Sequence, residues 1–412
     1  MNGGIFLKTF EEKLKSYAEL VVKVGLNVQP NQILYVRASV DTIPFARAVA
    51  HEAYNVGAKN VYVDYIDPEI TLSRYLRASD DVFTEFPEWE RIQREMLIDK
   101  DSAFLFIVSD DPDLLSKADP NRIANYQKVS GEAMVKWREQ HDDVSWVICA
   151  APSQAWADKV FTGETNSLDK LWDAIFSSVR IGEVEPVKAW KDHIGNLHQR
   201  VTYLNEKKYK KLHYKAEGTD LTIELHPLHL WRSGGTKNRH GVPFVANMPT
   251  EEVFTSPLRS GVNGFVSSKK PLSYAGNLID EFKLTFENGR IVEITAKKGE
   301  EVLKNLVETD EGSHYLGEMA LVPHDSPISN TNLLFLNTLF DENAANHLAL
   351  GFGFPSCIEG GEKMTEEQLE EVELNSSITH VDFMIGCADM DIDGELPDGT
   401  HEPIFRKGNW AF

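Results

Sequence analysis

Near the C-terminus, His380 and Asp382 lie two residues apart in the run THVDFMIG, whose alternate positions Val381, Phe383 and Ile385 are apolar. That alternation is the pattern of a strand packed on a core. Side chains at i and i+2 of a strand point the same way, so an imidazole and a carboxylate there can reach one point in space. They could share a metal ion, or simply pair, with the aspartate fixing the histidine tautomer. Three further stretches carry donors of the same kinds. In NMPTEEVFTSP (247–257), Glu251 and Glu252 stand between a Pro-Thr turn and Val253-Phe254. In HYLGEMALVPHDSPIS (314–329), Glu318 interrupts an apolar run. An unpaired buried carboxylate is costly, so Glu318 must be exposed, neutralised, or paired with a cation or metal. In LFDENAANHLALGFGFP (339–355), Asp341, Glu342 and His347 sit in a weakly helical, Ala-rich stretch, where Asp341 would also suit the cap of a helix start.

Each stretch alone also fits a plainer role: solvated loop acids, a salt-bridged glutamate, a core histidine, a structural His–Asp pair. Together they form a carboxylate-and-imidazole set without thiolate. Such a set suits hard-to-borderline divalent ions such as zinc, cobalt or manganese rather than a cysteine-rich structural zinc. Five or six donors exceed what one tetrahedral ion needs, and a carboxylate can bridge two ions in a hydrolytic two-metal centre.

Other chemistries lack their signatures. There is no GxGxxG after the first predicted strand, no GxxxxGK[ST] and no GxSxG. HEAYN (51–55) is not HExxH, because Asn55 stands where the second histidine belongs.

The elements that must position these residues fall into two textures. The first half alternates helix and strand. Phe10, Leu14, Tyr17, Val21 and Val22 recur at helical spacing. QILYVRAS, KNVYVDYID, SAFLFIVSD and SWVICAAPS read as strands, and the stretch from Asp41 to Gly57 as a helix with Asp41 as its N-cap. Near-continuous apolar strands alternating with helices predict a doubly wound, mostly parallel α/β sheet. After a long helical region at about 167–207, KLHYKAEGTDLTIELHP and NLIDEFKLTFENGRIVEITAKKG read as antiparallel hairpins, the second turning at Asn288-Gly289. A boundary near 210 therefore separates an α/β domain (1–210) from an α+β domain (211–412) that holds the candidate ligands.

The composition is globular: 412 residues, 42% hydrophobic and 26% charged, enough for two domains. A net charge of −22 argues against nucleic-acid or anionic-membrane partners, which phosphates would make repulsive. No apolar run of about 18 residues predicts a membrane span. Three cysteines without a CxxC pair read as reduced thiols of a cytoplasmic protein.

At these four stretches the sequence resembles the thermophilic aminopeptidase family, the M29 metallopeptidases, and the resemblance extends over essentially the whole chain. PTEEVFTSP is similar to the family's segment with a ligand glutamate before the valine, which falls on Glu252. LGEMALVP resembles the segment of the bridging glutamate, here Glu318. DENAANHLALG resembles that of a ligand histidine, here His347, with Glu342 beside it, and THVDFMIG that of the last pair, His380 and Asp382. The resemblance implies an aminopeptidase with two divalent ions on these five residues, peptide substrates with a free N-terminus, and a homodimer. Of the candidate catalytic carboxylates Glu251, Glu318 and Glu342, Glu318 would bridge the ions, while Glu251 and Glu342 are candidates for the general base as carboxylates not fully used as ligands. One position departs from it. The family usually has tyrosine seven residues after the ligand histidine, where this chain has Phe354. That departure carries the alternative, a catalytically weak or idle metal-binding homologue. Glu251 also replaces the family's common glycine.

Overall fold

The structure, a computed structural model, describes residues 8–109, 111–141, 143–274 and 277–412. Its chain contacts divide it into two compact units, residues 1–193 with 235–249, and residues 194–234 with 250–412.

In the first unit, four strands each follow an apolar run read from the sequence: β1 (Ile33–Ser39), β2 (Asn60–Ile66), β3 (Ala103–Val108) and β4 (Trp146–Ala150). β1 lies parallel to both β2 and β3, and β3 parallel to β4. Leu34, Tyr35 and Val36 are buried in succession, which requires cover on both faces of the sheet. The helix Phe10–Leu20 starts on a Thr9–Glu12 capping box and buries Leu14, Tyr17 and Ala18. The helix Ile43–Asn55 ends ahead of Gly57, whose φ of 94° suits a residue without Cβ. Asp41 does not cap that helix. It lies in a single 3₁₀ turn, Val40–Thr42, and its own N–H donates to Ser39 Oγ, so the serine takes the capping role two residues earlier.

The second unit opens with β5 (Lys211–Ala216), β6 (Thr219–Glu224) and β7 (Arg232–Ser233). The chain then returns to the first unit for β8 (Gly235–Lys237), β9 (Pro243–Val245) and β10 (Asn247–Met248), the last adding a fifth parallel strand beside β4. Back in the second unit follow β11 (Val253–Thr255), β12 (Val262–Ser267), β13 (Leu272–Tyr274), β14 (Asn277–Glu287), β15 (Arg290–Lys298), β16 (Leu316–Leu321), β17 (His347–Gly351), β18 (His380–Met384), β19 (Asp391–Glu395), β20 (His401–Arg406) and β21 (Asn409–Trp410). Asn288 and Gly289 join β14 to β15 with φ of 49° and 82°, the two positive values that a type I′ hairpin turn demands.

These strands make two antiparallel sheets. One runs β18-β17-β16-β11-β7. The other runs β13-β14-β12-β6-β5-β19-β20-β21, with β15 beside β14. Their inner faces share one core, in which Phe282 of the larger sheet meets Phe383 of the smaller with ring centroids 5.5 Å apart. The expected class, a parallel α/β sheet with antiparallel sheets following, is the class observed.

Candidate metal centre

Strand register places the candidate donors. Across β16 and β17, Glu318 pairs with Ala349 and Ala320 with His347. Across β17 and β18, Ala349 pairs with Asp382 and Gly351 with His380. Paired residues share a face, so Glu318, His347, His380 and Asp382 all stand on one face of the smaller sheet. Leu348, Leu350 and Phe383 on the opposite face are core. Glu252 joins from the residue just before β11, which pairs with β16 through Val253 and Leu321.

Glu318 reaches this face only because of an irregularity. Leu316 pairs with Leu350, but two residues on Glu318 pairs with Ala349, so β16 holds one extra residue there. Without this bulge Glu318 would face Leu348 and point into the core, since a one-residue slip exchanges the faces of a strand. The extra position is Gly317, where a Cβ would meet the carbonyl oxygens of Phe352 and Gly351 at 2.1 and 2.3 Å.

The result is two triads sharing one carboxylate: Glu252, Glu318 and His347, and Glu318, His380 and Asp382, with donor atoms in each within 4.8 Å of one another. Glu318 Oε1 lies 3.9 Å from His347 Nε2, and its Oε2 lies 3.1 Å from His380 Nε2. Glu252 Oε2 is 3.3 Å from His347 Nε2 and Asp382 Oδ1 is 3.6 Å from His380 Nε2. Each imidazole turns Nδ1 to a backbone carbonyl, that of Ala345 at 3.2 Å for His347 and that of Phe352 at 2.8 Å for His380. Donation from Nδ1 to those carbonyls presents both Nε2 atoms to the carboxylates.

The charge balance is strained in the direction a cation relieves. Burial pushes the Glu318 carboxyl up to about 7, although His380 hydrogen-bonds to it, and the charges of Asp382 and Glu252 add to the rise. Burial opposes the His380 cation, yet the Glu318 hydrogen bond and the Asp382 charge outweigh it and hold the imidazole up to about 9. His347 is likewise raised by Glu252, Asp382 and Glu318 against its burial. Glu342, in the turn Glu342–Ala344, is raised by burial and by the charges of Asp382 and Glu252. It belongs to neither triad, and its Oε1 accepts from Asn343 Nδ2 at 3.3 Å. Glu251 is also buried and outside both triads, and its N–H donates to Asn343 Oδ1 at 2.8 Å.

These residues fit divalent cations. The donors are nitrogen and oxygen only, and buried carboxylates outnumber the two imidazoles. Asp382 Oδ1 is buried without a hydrogen bond. Ala349, which stands between Glu318 and Asp382 in the ladder, puts only a methyl group between them. Beside the face, a cavity of about 320 Å³ has His380 and Asp382 in its wall, together with Leu272, Leu334, Leu336 and Met384. Phe354 packs its ring 5.0 Å from that of His380.

Two sequence expectations change. His347 is on a strand, not in a helical stretch. The α-helical turn Thr338–Asp341 runs into a 3₁₀ turn that ends at Ala344, and pairing with β16 and β18 overrides the alanine propensity beyond it. Asp341 caps nothing at a helix start; Asn337 does that, while the Asp341 carboxylate accepts the N–H groups of Phe335 and Asn337. Gly317, Ala349 and Gly351 were not among the expected site residues. The single available signal was a lone glycine inside a strand pattern, which often marks a bulge.

Comparison with known proteins gives the chain's family. The profile of the family described as thermophilic metalloprotease (M29) matches residues 10–410. Aminopeptidase AmpS of Bacillus subtilis (strain 168) is 55% identical over 410 residues, covering 98% of this chain and 100% of that protein. Aminopeptidase T of Thermus thermophilus is 38% identical over 409 residues, covering 98% and 100%. The solved structure of wild-type AmpT from Thermus thermophilus superposes with a TM-score of 0.92 at 38% identity, over 98% of this chain and 100% of that one. No helix among the described residues is long and apolar enough to cross a membrane. The chain thus belongs to the thermophilic metalloprotease (M29) family and is a peptide hydrolase that uses metal.

Proposed function

We propose that this protein is an aminopeptidase that removes the N-terminal residue of a peptide, with Glu252, Glu318, His347, His380 and Asp382 holding two divalent ions of the zinc, cobalt or manganese kind and Glu318 between them. The observation that carries the proposal is the division of Glu318: one oxygen faces His347 and the other His380, in two separate triads. When bound, such ions acidify water and polarise a scissile carbonyl.

The remaining work falls to the chain. His347 and His380 keep their protons on Nδ1, through the carbonyls of Ala345 and Phe352, so that Nε2 stays aimed inward. The surplus of buried carboxylates favours a substrate's ammonium over an acetylated terminus. The cavity beside His380 and Asp382 gives the N-terminal side chain a place of mixed character, with Leu272, Leu334, Leu336 and Met384 alongside Ser273, Asn337 and Thr338. Glu342, whose Oε1 is engaged by Asn343, offers Oε2 to take a proton from the attacking water and return it to the leaving amine. Glu251 is the second carboxylate outside the triads with that capacity. The three cysteines are free thiols, in keeping with a cytoplasmic enzyme. The family resemblance extends the reading to a homodimer, which sedimentation of the purified chain tests.

Glu318→Gln tests the centre. Metal content should fall and cleavage of aminoacyl-nitroanilides should collapse; parent levels of both would remove Glu318 from its shared position.

One observation favours a second reading. Phe354 packs its ring against His380 without a hydroxyl. A donor to a developing oxyanion is worth about 10²–10³ in rate, so a chain lacking it could bind metal and turn over slowly. Phe354→Tyr should then raise kcat with little change in metal content. Unchanged kcat, in a parent already fast with cobalt, manganese or zinc, rejects the idle reading.

A further inference from the structure

A second gathering of imidazoles and a carboxylate lies on the larger sheet of the second unit, where β5, β19 and β20 run side by side. On β5, Leu212 and Tyr214 enter the core and His213 points to the other face; on β19, Ile392 does the same and Glu395 shares the face of His213. Across the ladders, His401 stands opposite Glu395, and His213 stands two residues along on the same face, opposite Asp393. One donor atom from each of His213, Glu395 and His401 lies within 4.8 Å of the others. His213 Nε2 is 3.0 Å from Glu395 Oε2, and the two imidazole rings tilt together with centroids 5.0 Å apart.

We propose that His213, Glu395 and His401 form a separate surface site for a borderline divalent transition cation such as zinc or nickel. Two nitrogens and one carboxylate oxygen match that class and discriminate against magnesium and calcium, which prefer oxygen throughout. The support around the ligands suits the role. His213 Nδ1 lies 3.1 Å from the hydroxyl of Thr222, its register partner on β6. A hydroxyl both donates and accepts, so it can hold the tautomer with a proton on Nδ1 and leave Nε2 to the ion. Lys211, which faces Glu395 across the ladder, is the competing cation, but its ammonium is paired with Glu224. Asp393, opposite His213, is likewise paired, with Arg406. The ligands come from three adjacent strands, so an ion there cross-links them and stabilises the sheet by mass action.

The proposal stands independently of the aminopeptidase reading. The test is calorimetric titration of zinc chloride into the full chain after its first centre has been loaded, beside the His401→Ala and Glu395→Gln variants. His401 is exposed, so its replacement disturbs no core packing. The parent should take up one further equivalent, with each variant about tenfold weaker or more, and the same zinc should raise the unfolding temperature of the parent only. Magnesium chloride should produce neither effect, and peptide hydrolysis by the loaded variants should equal that of the parent. The proposal is overturned if parent and variants bind the same equivalents with equal affinity, or if magnesium matches zinc.

Discussion

Replacing Gly317 by alanine would test the bulge that delivers Glu318. The added Cβ would stand 2.1 Å from the Phe352 carbonyl oxygen and 2.3 Å from that of Gly351. Both are backbone atoms and cannot rotate aside. Carbon–oxygen contacts settle at about 3.3–3.6 Å, so the Gly351–Phe352 segment must retreat by roughly 1.2 Å. The Phe352 carbonyl is the partner of His380 Nδ1 at 2.8 Å, and a retreat of that size breaks the bond. Overpacking of this kind costs about 1–3 kcal/mol and the lost hydrogen bond about 1 kcal/mol, a total of roughly 2–4 kcal/mol. In a unit of about 200 residues, 1 kcal/mol moves the transition by about 2–4 °C, so scanning calorimetry of the metal-free protein should record a drop of roughly 5–15 °C. If His380 is a ligand as proposed, loosening its partner should weaken metal affinity about 10–100-fold, measurable by competition with a chromophoric chelator. A transition within about 2 °C of the parent would refute the packing argument. A destabilised variant with unaltered metal affinity would refute the link through Phe352 to His380.

Acid should weaken the second unit through His229, whose imidazole burial depresses from 6.5 to about 4. Its Nδ1 donates to the His226 carbonyl at 2.7 Å, while its buried Nε2 makes no hydrogen bond. The unfolded chain binds this proton more readily, so the stabilisation is whole above pH 6.5 and is lost as pH falls toward about 4. At about 1.4 kcal/mol per pH unit the loss totals roughly 3 kcal/mol. His229→Phe should flatten the fall in urea stability across that window, and equal slopes in parent and variant would reject the assignment. In the cavity beside His380, Leu334→Trp should cut kcat/KM for leucyl substrates by about tenfold or more while sparing alanyl ones; a uniform loss would place the cavity outside substrate recognition.

What the sequence made legible was local. The hairpin at Asn288-Gly289 follows from two residues that tolerate positive φ. The parallel strands follow from short apolar runs bounded by turn residues. The His380 and Asp382 face follows from alternation alone. What stayed hidden depends on pairing between distant segments. Alternation within LGEMALVP cannot reveal the extra residue at Gly317, because the bulge exists only relative to β17. His347 lies in a strand buried at every position, which leaves no period to read. The return of residues 235–249 to the first unit is set by their pairing with β4, to which the local composition gives no clue.

The order of the smaller sheet also bears on when the proposed centre can be completed. β18 is one of the sheet's two edge strands, and it is the last of that sheet to leave the ribosome. A nascent chain ending before it holds Glu252, Glu318 and His347 but lacks His380 and Asp382, so it carries half a centre. On the proposed ligand set, catalytic competence would arrive only with the docking of that late strand, and a chain that fails to complete its synthesis would not trim the peptides around it.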